Sequence, residues 1–437
     1  MISQDIKKYL VIIFWALIVS YLFLLMIGPR VSDNQQEKYC VRNFEINELF
    51  GHSMNCDSAD YMLNASNPNR LLSNDSVRQT RPGLMLVVFV LSHPFDFILK
   101  KFGFGSNYPN LTLKEKIDGS TIEVFEKFHP KIIYVIFAVL NFLILSGCMF
   151  FLFKIFGFSI FTINSYFNWF LWFSLLIVFN NITNQFFWSP STKLLIIFSG
   201  VFSIFFSSKI LNNEINKKNL IMICFVLGLM MLFYAIFILP FTICLLMYFV
   251  KSYKKVSKIN LFLDYLLFIF SFLIPYATWY FYIFNINQSF YVSNFTNYKM
   301  VMWIPDYFEQ QGLAGLTLEI GFKFFMILKE FFYQYWFLLL TIISSPFFYK
   351  KVGFDFKNPL TICAASYFML YSFFFIVLNN IPSNIVTGLI VPVIILLITF
   401  LKQNQKNLRK KSSIIYFYSV IFCFFYFWSL IKFGPYS

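Results

Sequence analysis

The stretch Leu84-Met-Leu-Val-Val-Phe-Val-Leu-Ser-His93-Pro94-Phe-Asp96-Phe-Ile-Leu99 decides how this chain is threaded. It is apolar, but its 16 residues fall short of the roughly 20 that a bilayer crossing needs, and His93, Pro94 and Asp96 interrupt it. Whether it crosses sets the parity of everything after it. The surrounding composition makes that question one about a membrane. Of 437 residues, 59% are hydrophobic, 22% aromatic and 13% charged, against roughly 45–50% apolar and about 25% charged in a soluble domain. Sixty-four Phe and a mean hydropathy of +0.67 exclude soluble globular, disordered and fibrous classes and indicate an all-α polytopic membrane protein.

Apolar runs near 9–28, 132–153, 160–180, 192–210, 219–236, 237–250, 260–282, 324–347, 359–378, 383–401 and 413–431 give about eleven predicted spans. Pro240 and the continuity of the fifth and sixth runs suggest a tight helical pair there. The distribution of charge arbitrates the doubtful run. With 84–99 not crossing and the N-terminus cytoplasmic, the inside segments hold 18 Lys and Arg against four acids, and the outside segments 17 against 16. The formal net charge of +15 thus divides as +14 inside and +1 outside. Counting 84–99 as a span reverses five downstream basic clusters. The run is therefore predicted to be an interfacial helix within one long extracytoplasmic segment, 29–131. A twelve-span arrangement with an outside N-terminus is the other solution.

The basic excess is thereby a statement of orientation, and no nucleic-acid partner is expected. Lys7-Lys8 and the run that follows read as a retained first span rather than a cleaved signal, and the protein is expected in a bacterial inner or plasma membrane. No GxxxxGK[ST] or GxGxxG motif occurs, so nucleotide-driven transport is not expected. The histidines at 52, 93 and 129 have no ligand spacing. Of the seven cysteines, only Cys40 and Cys56 lie in a polar segment, where an oxidising compartment would let them pair.

Chemistry concentrates in Gly51-His-Ser-Met-Asn-Cys-Asp57-Ser-Ala-Asp60-Tyr61-Met-Leu-Asn-Ala65 and in Val77-Arg78-Gln-Thr-Arg81-Pro82-Gly83. Asp57, Asp60 and Tyr61 lie three and four residues apart, so a helix would put them on one face. Arg78 and Arg81 precede the interfacial helix, which would hold their phosphate-matching guanidinium groups at headgroup depth. A capped helix start and contacts with anionic membrane lipids are the structural alternatives for these acids and arginines. A second outside segment, 283–323, carries Tyr298, Lys299, Trp303, Asp306, Tyr307 and Glu309. Its aromatic faces and acids suit a sugar acceptor or a lid, or equally an interfacial aromatic belt.

The order first span, Asp57-x-x-x-Tyr61-x-x-x-Ala65, Arg81-Pro82 opening an apolar interfacial helix, next span, resembles the N-terminal module of the GT-C glycosyltransferases, in particular the protein O-mannosyltransferase and aminoarabinose-transferase branch. The resemblance covers residues 1–210, leaving 211–437 as C-terminal transmembrane helices. It implies transfer of a sugar from a polyprenyl-phosphate donor to a glycan, lipid or protein acceptor on the extracytoplasmic face. By position it implies Asp57 as the general base or metal-linked acid, Arg81 as the ligand of the donor phosphate, and a divalent metal as a candidate cofactor; Asp60 and Arg78, beside them, are the further catalytic and phosphate-binding candidates. Tyr61, Asp306 and Tyr307 are the candidate substrate contacts. Family members often carry a further acid where the third span emerges, whereas this chain reads Asn184-Gln-Phe-Phe-Trp-Ser-Pro-Ser191. A flippase of lipid-linked glycans and a noncatalytic scaffold subunit are the competing readings.

Overall fold

A computed structural model describes residues 15–25, 41–45, 51–73, 76, 78–101, 112–114, 121–123, 130–157, 174–288, 290, 301–336, 338, 355–379 and 383–403. The chain is predominantly helical, because a long apolar run in lipid satisfies its backbone groups most simply within itself. Among the described residues, five helical stretches are long and apolar enough to cross a membrane: Ile132–Ile155, Ala235–Ser252, Lys258–Asn287, Trp303–Gln334 and Pro359–Val377.

In chain order the elements are α1 (Trp15–Leu24), an antiparallel ribbon of β1 (Val41–Glu45) and β2 (Gly51–Asn55) with Phe44 opposite His52, α2 (Cys56–Ser66) and a 3-10 turn (Pro68–Leu72). Then come α3 (Gly83–Lys101), a second ribbon of β3 (Thr112–Lys114) and β4 (Thr121–Glu123), and α4 (Pro130–Ile155). The remaining helices are α5 (Asn181–Phe186), α6 (Leu195–Leu211), α7 (Lys217–Met231), α8 (Ile238–Ser252), α9 (Lys258–Asn287), α10 (Trp303–Gln334), α11 (Pro359–Val377), α12 (Ser383–Val386) and α13 (Ile390–Gln403).

Helix α6 is the axis of the bundle. Its Ile196, Ile197, Val201 and Ile204 are fully buried. Phe151 of α4 stacks among Phe198, Phe202, Phe205 and Phe206 on one side. On another, Ser199 bonds Tyr367 of α11 at 3.1 Å, and a side chain at Gly200 would touch Val391 and Tyr367. Helices α7 and α9 press even closer: a Cβ at Gly228 would lie 2.1 Å from the carbonyl oxygen of Phe272. Only glycine lets the two backbones approach that far.

Polar contacts fix the relative direction of α6 to α9 and of α11 and α13. Lys251 at the end of α8 donates to the Ile215 carbonyl in the α6–α7 turn. Lys217 at the start of α7 pairs with Asp264 near the start of α9, and Asp355, just before α11, donates its amide to Gln403 at the end of α13. Lys154, Lys209, Lys217, Lys251, Lys258 and Lys402 therefore gather at one end of the bundle. The opposite end collects the starts of α4, α6 and α8, the ends of α7 and α9, and the segment 56–83.

Three predicted segments differ in detail. The 219–236 run stops at Met231 and turns through a 3-10 element, Ala235–Phe237, into α8, the tight pair that Pro240 suggested. The 283–323 segment is largely helix, because α9 runs to Asn287 and α10 starts at Trp303. Gly312 (φ 67, ψ −174) breaks α10 into a helical hairpin, a conformation open essentially to glycine alone. Lys323 on the second arm consequently lies 3.2 Å from the ring centroid of Trp303 on the first. Helix α3 runs for 19 residues, Gly83–Lys101, straight through Pro94, and so extends past both ends of the 84–99 run. Its first turns are buried through Leu84, Met85 and Val88, while Val90, Phe95 and Phe97 are exposed. The 413–431 run, most of the 160–180 run and the Cys40 position lie outside the described residues.

Candidate functional site

Helix α2 begins with Asp57 in its first turn, where a carboxylate complements the positive end of the helix dipole. Its period places Asp57, Asp60, Tyr61 and Asn64 along one face, as the spacing predicted. Arg78 inserts into that face. Its Nη2 donates to Asp57 Oδ1 at 2.9 Å and its Nε to Asp60 Oδ2 at 2.6 Å, and its guanidinium lies 4.2 Å from the Tyr61 ring centroid. Asn64 Nδ2 donates to Asp60 Oδ1 at 2.8 Å. The Arg78 side chain is only 3% exposed, whereas those of Asp57 and Asp60 are 67% and 37% exposed. The cation is thus an internal clamp under two carboxylates that face outward.

The loop that delivers Arg78 is pinned from several directions. Gln79 Nε2 donates to the carbonyls of Leu71 and Ser73, Trp279 of α9 donates its indole N–H to the Gln79 carbonyl at 2.7 Å, and Asn287 donates to the Leu72 carbonyl. Gly83 then opens α3 against the α7–α8 turn. Its amide donates to the Leu232 carbonyl at 2.9 Å, and a Cβ there would meet Phe233 at 2.6 Å. This approach sets Arg81 over the Tyr234 ring, 5.9 Å from its centroid. Arg81 is half-buried and has no ion pair among the described residues.

A third cation arrives from the segment before α6. Tyr61 Oη and Thr192 Oγ1 are hydrogen-bonded at 2.8 Å, and the Lys193 amide donates to Ser191 Oγ at 3.2 Å. The half-buried Lys193 side chain acts on Asp57 electrostatically. Desolvation opposes ionisation of Asp57, but Arg78 beside it, with Arg81 and Lys193 further out, holds the carboxyl below the usual carboxylate value. Burial likewise works against ionising Tyr61, and the charges of Arg81 and Arg78 overcome it, lowering that phenol. Burial disfavours the Arg78 cation, yet Tyr61, Asp57 and Asp60 raise its pKa.

Asp57, Asp60, Tyr61, Arg78 and Arg81 therefore come together, with Arg78 committed to the two acids. Asp306 and Tyr307 lie on the first arm of α10, where Trp303 donates to the Val377 carbonyl at 2.9 Å, at the end of α11. Asp306 is exposed and Tyr307 half-buried against Trp303. Tyr298 and Lys299 lie outside the described residues. The residue that pattern reading passed over is Lys193, although it is the sole charge between Lys154 and Lys209.

The donor set does not fit a divalent metal. Among the described residues no group of three His, Cys, Asp or Glu side chains gathers at one point, and the carboxylates of Asp57 and Asp60 are bonded to Arg78. A hard cation needs several oxygen ligands, and here it would compete with a guanidinium already in place. Counting Arg78, Arg81 and Lys193 against the two carboxylates, the cluster carries an excess of one positive charge. It suits an anion. No protein-family model, curated protein sequence or solved structure matches the chain.

Proposed function

We propose that this chain is a membrane glycosyltransferase of GT-C type, with about eleven spans and a cytoplasmic N-terminus. It uses a polyprenyl-phosphate-linked sugar at an extracytoplasmic site centred on Asp57. One juxtaposition carries the reading. An outward-facing ionised carboxylate sits beside cations with no ion-pair partner among the described residues, and the same loop opens into a helix whose far half exposes Val90, Phe95 and Phe97. Such a helix suits a lipid surface, and the cluster suits the phosphate a lipid carries there. The basic end of the bundle then faces the cytoplasm, as the positive-inside tendency requires.

In this reaction the acceptor hydroxyl oxygen forms a bond to the anomeric carbon while the bond from that carbon to the phosphate oxygen breaks. The electron pair stays on the phosphate, and the hydroxyl proton passes to Asp57. Asp57 is held ionised by Arg78, so it accepts the acceptor's hydrogen bond from the outset and takes the proton as the departing sugar draws electrons from the oxygen. Arg81 stabilises the charge growing on the phosphate. Asp60 and Arg78 fix the orientation of Asp57 rather than touching the donor.

The test is sugar transfer by the full-length protein in liposomes. Asp57→Asn keeps the volume and the helix but removes the base, and should abolish transfer with insertion intact. Arg81→Ala should act chiefly through the donor, raising its KM. Transfer that survives in Asp57→Asn would remove Asp57 from the base role, and unchanged donor dependence in Arg81→Ala would remove the phosphate role.

A further inference from the structure

We propose that Arg81 and Lys193 form a two-cation subsite that binds the phosphate of the lipid donor directly, with no divalent metal between protein and phosphate. The inference rests on the transferase reading for the sugar, but its core, a metal-free lipid-phosphate site, stands on the geometry. Three observations carry it.

The carboxylates that would have to hold a metal are engaged. Arg78 bonds Asp57 and Asp60 at 2.9 and 2.6 Å from a nearly fully buried position, and charge-assisted bonds of this kind are among the strongest side-chain contacts. A metal entering between the acids would have to expel a buried guanidinium. Second, Lys193 is brought to the edge of the acid pair by a fixed backbone. The Tyr61–Thr192 bond of 2.8 Å fixes the residue preceding Lys193 against the helical turn that bears Asp57. That segment supplies an ammonium group whose charge acts on Asp57. Third, the charges close. Two carboxylates and three cations leave one positive charge, which the single negative charge of a phosphodiester neutralises, and cleavage of the sugar bond adds negative charge where Arg81 and Lys193 can meet it.

The site differs from a surface patch of lysines, because Arg81 is placed over Tyr234 by the glycine contact that starts α3, and Lys193 by a buried hydroxyl pair. Lys193 is accordingly a donor-binding residue, matched to a lipid phosphate rather than to free phosphate, since α3 starts two residues after Arg81 and exposes apolar side chains along its far half.

The experiment measures binding of farnesyl phosphate to the full-length protein in nanodiscs by native mass spectrometry, with and without EDTA. Binding should be unchanged by EDTA and weakened at least about 10-fold by Lys193→Met and by Arg81→Met. Lys193→Arg, which keeps the charge, should bind within about threefold of the parent. It separates loss of charge from loss of fold should Lys193→Met be unstable. Inorganic phosphate should compete only at millimolar concentration. Binding abolished by EDTA, or unaltered in Lys193→Met, would overturn the proposal, and competition by inorganic phosphate at the affinity of farnesyl phosphate would overturn the lipid assignment. Metal-free, Lys193-dependent binding without any sugar transfer would leave this subsite standing and remove the transferase reading. Transfer that EDTA abolishes would do the reverse.

Discussion

Replacing Arg78 with Met keeps the length of the buried stem but deletes two charge-assisted hydrogen bonds, to Asp57 at 2.9 Å and Asp60 at 2.6 Å, and the stacking on Tyr61 at 4.2 Å. Bonds to charged groups contribute about 1.5–3 kcal/mol each, giving an upper figure of about 3–6 kcal/mol. Because Asp57 and Asp60 are 67% and 37% exposed, water solvates them once the cation is gone, and the larger penalty of a stranded buried charge does not apply. A net loss of about 2–4 kcal/mol follows, counting a contribution of roughly 0.5–1 kcal/mol from the cation over the ring. Arg81→Met removes no ion pair among the described residues, and its cost should stay under about 1 kcal/mol, the range of an exposed cation–π contact.

Thermal unfolding of the two variants in detergent, followed by tryptophan fluorescence, should therefore separate them, with Arg78→Met melting well below Arg81→Met and the parent. The pH dependence has a definite sign. The folded pKa of Asp57 lies below its ordinary 3.8, so the stabilisation is complete above that value and disappears as pH falls through the folded value. The gap between parent and Arg78→Met should narrow only in that acid range. Equal melting of Arg78→Met and parent, or a drop in Arg81→Met as large as that in Arg78→Met, would refute the division into a clamping and a ligand-facing arginine.

Removing Arg78 also removes the main charge that keeps Asp57 ionised, so the acid limb of the pH profile for transfer should move to higher pH in Arg78→Met; an unmoved limb would mean that another group sets it. Tyr61→Phe deletes the 2.8 Å bond to Thr192 and should cost about 1 kcal/mol while raising the donor KM by loosening Lys193. A KM equal to the parent's would detach Lys193 from that anchor. Gly228→Ala drives a methyl into the Phe272 carbonyl at 2.1 Å and should destabilise the bundle by about 1–3 kcal/mol or more, seen as a lower melting temperature with the donor KM of the surviving folded fraction unchanged.

Much of this was legible in the sequence because it depended on local period and charge. The three- and four-residue spacing of Asp57, Asp60 and Tyr61 needs only a helix to become a face, and α2 supplies one. The pause at Pro240 and the gathering of lysines at one end are likewise local or additive signals. What escaped depended on non-local contacts. Arg78 and Arg81 look alike in Arg78-Gln-Thr-Arg81, yet Trp279 and Asn287, some 200 residues away in the chain, pin the loop so that one guanidinium turns inward. Lys193 was visible as a solitary charge in a long apolar stretch, but only the Tyr61–Thr192 pair tells where it lands. The first arm of the α10 hairpin looks like a connection in the sequence because its acids and glycines dilute the apolar pattern, whereas the second arm runs into the predicted 324–347 span.

The central claim is that Asp57 carries sugar transfer from a polyprenyl-phosphate donor. Mass spectrometry of the lipid-linked sugars in membranes from cells lacking the gene, and from the same cells carrying the parent chain or Asp57→Asn, tests it most directly. A polyprenyl-phosphate sugar should accumulate without the gene, be consumed when the parent chain is restored, and remain when Asp57→Asn is expressed to the same level. A lipid-linked sugar pool identical in all three, or one that Asp57→Asn clears as fully as the parent, would contradict it.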